Sequence, residues 1–207
     1  ERLWAVRHAL LVIRGEFQSL LWEPVGEDEN GIDLWITAND GHRIGHQLKR
    51  QNRSEETWSV ADLAREGVLQ TAKAQLDRDV RAEYVFVSSC GVRSLQDLAE
   101  RSQRDQVSAK LFLDAHVNTE KRRMEDFARL MVAWGLRQED PADIEAAFKL
   151  LQRITCDVCA RTKRVRIEVE HLAGLEIEGD STAIVATIGD LLDNNLGRQF
   201  HADELRQ

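Results

Sequence analysis

An α/β sheet with helices on its faces, followed by a run of helices, is the fold class the chain predicts, on three observations. Two segments of strand period flank the turn Asn39-Asp40-Gly41. Elements up to about Arg104 read in the order helix, strand, strand, strand, helix, strand, helix. From Thr119 onward every convincing pattern is helical.

Leu3, Trp4, Val6, Leu10 and Ile13 recur at three- and four-residue spacing, predicting a helix from Glu1 to about Arg14 that is apolar around much of its circumference and therefore largely buried. Phe17 to Trp22 reads as a first strand, closed by Glu23-Pro24, where proline removes a backbone donor. Gly26 to Asn30 is an acidic loop. In the stretch GIDLWITANDGHRIGHQLK, Gly31 to Lys49, the aliphatic residues Ile32, Leu34 and Ile36 alternate with Gly31, Asp33 and Trp35, so Asp33 faces away from the core. Gly41 suits the turn because it tolerates positive φ. Beyond it, Ile44, His46 and Leu48 share one face, while Arg43, Gly45, Gln47 and Lys49 share the other.

Ser59-x-x-Asp62 resembles a capping box and predicts one helix from Val60 to Leu76. Tyr84 to Ser89 is a buried strand, and Ser94-x-x-Asp97 opens a helix to about Arg101. Met124, Phe127, Leu130, Met131 and Trp134 form one helical stripe; Ile144, Ala147, Phe148, Leu151, Ile154 and Val158 form a second, behind Asp140-Pro141. Val165, Ile167 and Val169 fit a strand by alternation or a continued helix with Leu172 and Leu175. Ser181 to Leu192 reads as a final helix. The change of character places a boundary near Asn118, giving an α/β domain over 1–118 and a helical subdomain over 119–207.

With 207 residues and 43% hydrophobic content, the chain is long enough for a sizeable core. No window approaches the roughly 18 apolar residues of a membrane span, which predicts a cytoplasmic protein with no membrane partner. Three cysteines without regular spacing fit free thiols in a reducing compartment. A net charge of -8 excludes indiscriminate nucleic-acid binding over the whole surface, so any phosphate contact must be local. The run from Lys49 through Arg50 to Arg53 is the densest cationic patch near the strand pair. The chain opens at Glu1 without an initiator Met, as expected of part of a longer protein.

If the two strands pair, Asp33, Gln47 and Lys49 lie on one surface. Metal-dependent phosphodiester hydrolysis needs hard oxygen ligands and a cation that stabilises developing charge or orients water. Asp33 suits the metal and Lys49 the cationic role. Gln47 is a neutral donor where a carboxylate would hold a metal more strongly. The bland alternative for this trio is a solvated sheet face with a charge pair. His42 and His46 share a strand face, but alternation sets them with Ile44 on the core side, which favours packing over ligation. Cys156-x-x-Cys159 lacks the further ligands of a structural zinc site, since the only other cysteine is Cys90, and reads as buried thiols in the helical stripe. Ser88-Ser89-Cys90-Gly91 ends a strand but has no recognisable triad partners.

Gly31-Ile32-Asp33 followed by Gln47-Leu48-Lys49 resembles the D…(E/Q)xK core of the restriction-endonuclease-like PD-(D/E)XK nucleases. The Gln-x-Lys form is similar to the double-stranded DNA endonuclease effectors of bacterial antiphage systems, both CD-NTase-associated nucleases and the N-terminal nucleases of antiviral STAND NTPases. WSVADLAREGVLQTAK, EYVFVSSCG and SLQDLAERS resemble the continuation of the STAND-associated members, so the resemblance covers about Glu1 to Arg104. It implies a mixed central sheet flanked by helices, catalysis by Asp33, Gln47 and Lys49, and Mg²⁺ or Mn²⁺ held by Asp33, Gln47 and an acidic residue upstream. Glu16, Glu23 and Glu29 are the candidates for the last position, with Glu23 favoured because it would end the first strand beside Asp33. Arg43, Arg50 and Arg53 would meet phosphates of duplex DNA. The implied setting is an effector activated by homo-oligomerisation, with NTPase or sensor domains downstream. Alternatives are a catalytically silent nuclease fold serving as an interaction module, and an RNase on the same scaffold.

Overall fold

The computed structural model of the chain describes residues 1–26, 30–49, 57–104, 108–159 and 162–206. In chain order the elements are α1 (Arg2–Arg14), β1 (Phe17–Trp22), β2 (Leu34–Ala38), β3 (Arg43–Lys49), α2 (Val60–Arg65), α3 (Val68–Arg78), β4 (Glu83–Ser88), α4 (Arg93–Arg104), α5 (Ala109–Phe112), a π-helical turn (Leu113–Val117), α6 (Lys121–Ala133), α7 (Pro141–Leu151), β5 (Ile154–Val158), α8 (Thr162–Glu176), α9 (Ser181–Asp193), β6 (Gln199–His201) and α10 (Ala202–Leu205). The fold is mixed α/β, with strand pairings of both senses. It divides into two compact units, Glu1–Lys49 with Cys159–Gln207, and Arg50–Val158. Among the described residues no helix is long and apolar enough to cross a membrane.

The first unit is built on α1. Gly15, at φ +85, ends the helix: its N–H reaches the Val12 carbonyl at 3.0 Å and that of Glu16 reaches Leu11 at 3.0 Å, satisfying carbonyls the helix leaves open. The all-round apolarity of α1 follows from its surroundings, since it packs against β1 as well as α8, α9 and α10. Polar clasps fix the register: Arg7 pairs with Glu168 at 2.6 Å, while Arg2 reaches Asp190 at 2.5 Å and Asp193 at 3.3 Å across Gly189, where any side chain would collide with it. The strands of this unit run in the order β3-β2-β1-β6, every pairing antiparallel. The 119–207 stretch, expected to be helical, thus contributes β6 as the neighbour of β1, and the boundary expected near Asn118 falls inside the second unit. Val165, Ile167 and Val169 lie on α8, so the helical alternative is the observed one.

In the second unit β4 and β5 pair in parallel, Tyr84 opposite Ile154 through Ser88 opposite Val158. The capping box of Ser59 and Asp62 is present, but the expected Val60–Leu76 helix is broken into α2 and α3 by Gly67 at φ +76. The second helical stripe also stops early, at Leu151. Ile154–Val158 is a strand with Ile154 and Cys156 buried while Thr155 and Asp157 are exposed, the period of two that a β-branched run supports. Cys156 is therefore a buried strand thiol, pushed up to about 12 by burial, and Cys90, Cys156 and Cys159 are all free. Trp134 donates its indole N–H to the Leu69 carbonyl at 2.8 Å, tying α6 to α3.

Candidate active site

The turn and register of the first unit position the candidate residues. Gly41 adopts φ +85, and Ala38 N–H donates to His42 O at 2.9 Å, closing the β2–β3 hairpin. The register follows as Thr37 opposite Arg43, Ile36 opposite Ile44, Trp35 opposite Gly45 and Leu34 opposite His46. Asp33 lies in a bend just before β2. Three backbone links hold it there: its N–H donates to His46 O at 2.9 Å, its carbonyl accepts from Glu23 N–H at 2.9 Å, and its Oδ2 accepts from Leu48 N–H at 2.5 Å. The carboxylate is thereby fixed against the backbone of Gln47-Leu48-Lys49.

The bend corrects one expectation. Strict alternation puts Ile32 with Leu34 and Ile36, but its Cδ1 would lie 2.8 Å from a Cβ built on Gly45, whose other close neighbours are Trp35 ring atoms. Ile32 thus joins the Trp35 face. The opposite face of β3 packs on α1: Trp4 donates its indole N–H to His46 Nδ1 at 3.2 Å, and the rings of His8 and His46 meet edge-on at 4.7 Å between centroids. Burial drives His46 well below the ordinary histidine range and His8 down to about 4, so this interior is neutral. His42 is bonded to Asp40 at 2.5 Å and does not join His46 as a ligand pair.

Asp33 and Lys49 are half-buried and Gln47 is 5% exposed, so the amide is more enclosed than an open metal site on a solvated face would make it. Burial raises the Asp33 carboxyl above its ordinary value. The Leu48 N–H opposes this, Glu1 pushes it further up, and Lys49 pulls it down. The Lys49 charge is therefore near enough to act on the Asp33 carboxylate. Glu1 is an acidic residue that the sequence did not connect with Asp33. It stands before α1, and no local spacing announces that its charge reaches Asp33.

Of the upstream acids, Glu23 is brought to Asp33 by its backbone bond, and it is the one non-glycine at positive φ among the described residues, at +45. A left-handed conformation costs such a residue about 1 kcal/mol or more, the kind of strain that clusters at functional positions. Glu16 lies at the far end of β2, where Asn39 donates to its carbonyl at 3.3 Å and Arg14 pairs with its carboxylate at 3.3 Å. It is not gathered to the site. Glu29, Arg50 and Arg53 lie outside the described residues. Arg43 begins β3, six positions before Lys49, with its guanidinium 4.1 Å from the centre of the Trp35 ring.

Among the described residues no three His, Cys, Asp or Glu side chains cluster as a metal site. The oxygen-bearing side chains that the backbone sets around Asp33 are those of Glu23, bonded to it through the main chain, and Gln47, next to the Leu48 N–H that its carboxylate accepts from, with Glu1 within electrostatic reach. Such a set fits a hard cation such as Mg²⁺, which is commonly held by one or two carboxylates while keeping several waters.

The chain is thus an α/β protein with an acidic and a cationic residue brought together at the start of a strand pair. Its fold is similar to that of a Cap4 SAVED/CARF-domain containing receptor from Acinetobacter baumannii. The structure of that receptor with the cyclic trinucleotide 3'3'3'-cAAA matches at a TM-score of 0.51 and 10% identity, covering 99% of this chain and 42% of the receptor. A further structure of the Acinetobacter baumannii receptor matches at a TM-score of 0.51 and 10% identity, over 99% of this chain and 44% of that one. The chain accordingly spans less than half the length of these receptors, and at such identity the likeness is one of fold. No family model matches the sequence. No curated protein matches it either.

Proposed function

We propose that the chain is a metal-dependent double-stranded DNA endonuclease domain, the effector of a bacterial antiphage defence protein, cutting with little sequence specificity and activated by oligomerisation. One observation carries the reading: the Asp33 carboxylate is bonded to the backbone between Gln47 and Lys49, within electrostatic reach of the lysine. The similarity in fold to receptors about twice as long supports placing the domain in a larger protein whose remainder senses a signal.

In this reading Asp33, with Glu23 or Glu1, holds Mg²⁺ or Mn²⁺, and the Gln47 amide oxygen adds a neutral donor. The ion, when bound, neutralises phosphate charge and lowers the pKa of a coordinated water. Lys49 donates hydrogen bonds to the attacking water or to a phosphate oxygen and stabilises charge developing there. The Leu48 N–H orients the Asp33 carboxylate, and Gln47, being enclosed, can turn little. Because a neutral amide stands where a carboxylate would bind metal more strongly, the isolated domain has low metal affinity and depends on assembly for full activity.

Plasmid incubated with Mg²⁺ or Mn²⁺ should be nicked and linearised, and Asp33→Asn and Lys49→Met should each reduce the rate by about 100-fold or more, the loss expected when a group stabilising transition-state charge is removed. Undiminished cutting by both variants would sink the assignment. The burial of Gln47 and the lack, among the described residues, of a three-acid cluster favour a second reading, a silent nuclease fold acting as an interaction module. No cutting by the assembled protein with either ion would decide for it, and parallel assays on duplex DNA and RNA separate the two nuclease readings.

A further inference from the structure

The helix α8 hides one side and bares the other. Val165, Val169, Leu172 and Ala173 are buried where it packs on α1 and α9. On the opposite side Ile167 is 58% and Leu175 63% exposed, and His171 between them is exposed as well. Helical steps of about 100° bring these three within roughly 80° of one another, so they form one stripe with aliphatic ends. Arg164 extends it one turn before Ile167, and Glu178, in the bend after the helix, extends it beyond Leu175; both are exposed. Glu168 and Glu176, nearer α1, are paired with Arg7 and Arg14, but Arg164 and Glu178 have no ion pair or side-chain hydrogen bond among the described residues.

We infer that this stripe is a self-association face, on which α8 of a second copy lies antiparallel across a two-fold axis through His171. The spacing is its own mirror image. Counted from His171, the aliphatic residues stand four before and four after, and the charges seven before and seven after. Reversing the second helix therefore sets Ile167 of one copy against Leu175 of the other, and Arg164 against Glu178, twice over. A two-fold contact needs a surface complementary to itself. A stripe with an arginine at one end and a glutamate at the other meets that need only when antiparallel, since parallel pairing would set like charges together. Scattered aliphatic residues on a surface are ordinary; the matched order of these is what selects a second copy as the occupant. The face is small, below the ~1,200 Å² that specific stable interfaces bury, so pairing is weak and concentration-dependent in the isolated chain. The inference does not rest on the endonuclease reading, although the assembly in that reading gains a surface from it.

The test is sedimentation equilibrium of the full chain over a concentration series, without DNA or metal. The parent should show a reversible monomer–dimer equilibrium. Leu175→Glu, Arg164→Glu and Glu178→Arg should each weaken it by about tenfold or more. Mixing the two charge variants in equal amounts should restore dimer to within about twofold of the parent, because each then meets the other's reversed charge with one that attracts it. All three positions are exposed, so thermal unfolding should stay at the parent's value, which separates lost pairing from lost folding. A parent that is monomeric up to ~1 mM overturns the inference and leaves the face to a different occupant. A dimer that the single variants do not weaken, or that mixing does not restore, overturns it too. Cutting plays no part in these measurements, so a chain that pairs but leaves DNA intact loses the endonuclease reading alone.

Discussion

Asp33 shows how a single side chain reports on its site. Its carboxyl is raised by burial, so the folded state holds the proton more tightly than the unfolded chain. Stability from this group is then lost as pH rises through the window between the ordinary carboxylate value and the raised one, and at neutral pH the charged form is a burden on the fold. Asp33→Asn, whose amide oxygen still accepts the Leu48 N–H, should therefore leave thermal stability equal to the parent or higher even as it slows cutting; a lowered melting temperature contradicts the upward shift. Glu23 offers a parallel case. Replacing it with glycine removes the penalty of its left-handed backbone and should stabilise by about 1 kcal/mol, less the added unfolded-state entropy of glycine. If Glu23 also binds metal, the same variant cuts more slowly at limiting Mg²⁺; unchanged metal dependence would transfer the role to Glu1.

At the scale of elements, the contact of α1 with β3 is a pH-sensitive joint. His8 is buried on α1, with Nδ1 2.8 Å from the Trp4 carbonyl, and its folded value of about 4 lies below the free-histidine 6.5. A lowered base gives stability that is complete above 6.5 and is lost as pH falls towards 4, by about 3 kcal/mol in all at 1.36 kcal/mol per unit. Denaturant unfolding of the parent should weaken steadily across that range, and His8→Phe should flatten the curve; an unchanged slope would show that His8 does not set it. The α2–α3 break gives a different prediction. Gly67→Ala places a side chain at φ +76 with open space around it, so the cost is conformational alone, about 1 kcal/mol of stability.

Most elements were legible because they are written in local period: α1, β1, the hairpin and α9 stand where spacing and turn residues put them. Where reading failed, the cause is specific. Gly67 inside an apolar pattern looks like a tolerated helix glycine until its positive φ is seen. Ile154 to Val158 match a helical stripe as well as a strand, and only the parallel partner β4 decides between them. For the candidate site, the nearness of Asp33 to the Gln47-Leu48-Lys49 strand and of Glu23 to Asp33 was legible, while the roles given to these residues belong to the proposed function. The bend that moves Ile32 across the sheet and the approach of Glu1 were not legible, since both depend on the docking of α1 and the path of the chain between β1 and β2.

For the whole molecule, the first unit is discontinuous. Its sheet edge β6 and the helices α8 and α9 that cover α1 are supplied by residues 159–207. A chain ending at Val158 would expose Leu10, Val12 and Ile13 or their neighbours on a helix built to be enclosed, so it should bind a hydrophobic dye and lose protease resistance over residues 1–49. Retained protection there would show that the first 49 residues fold unaided. The proposed dependence on assembly also belongs at this scale: fusing the domain to an oligomeric scaffold should raise its specific activity on plasmid by at least tenfold, and equal activity of monomer and fusion would remove that proposal.

Discontinuity has a further result, in time. During synthesis, residues 50–158, 109 in all, must be made before the segment that encloses α1 begins to emerge. At ~5–20 residues per second this is a delay of about 5–20 s. The strands bearing Asp33 and Lys49 exist throughout that interval, but the helix that braces them through Trp4 and His46 is still uncovered. The candidate site is thus braced only after the C-terminal segment has followed, and a nascent or truncated copy carries its strands without the enclosed first unit that holds them.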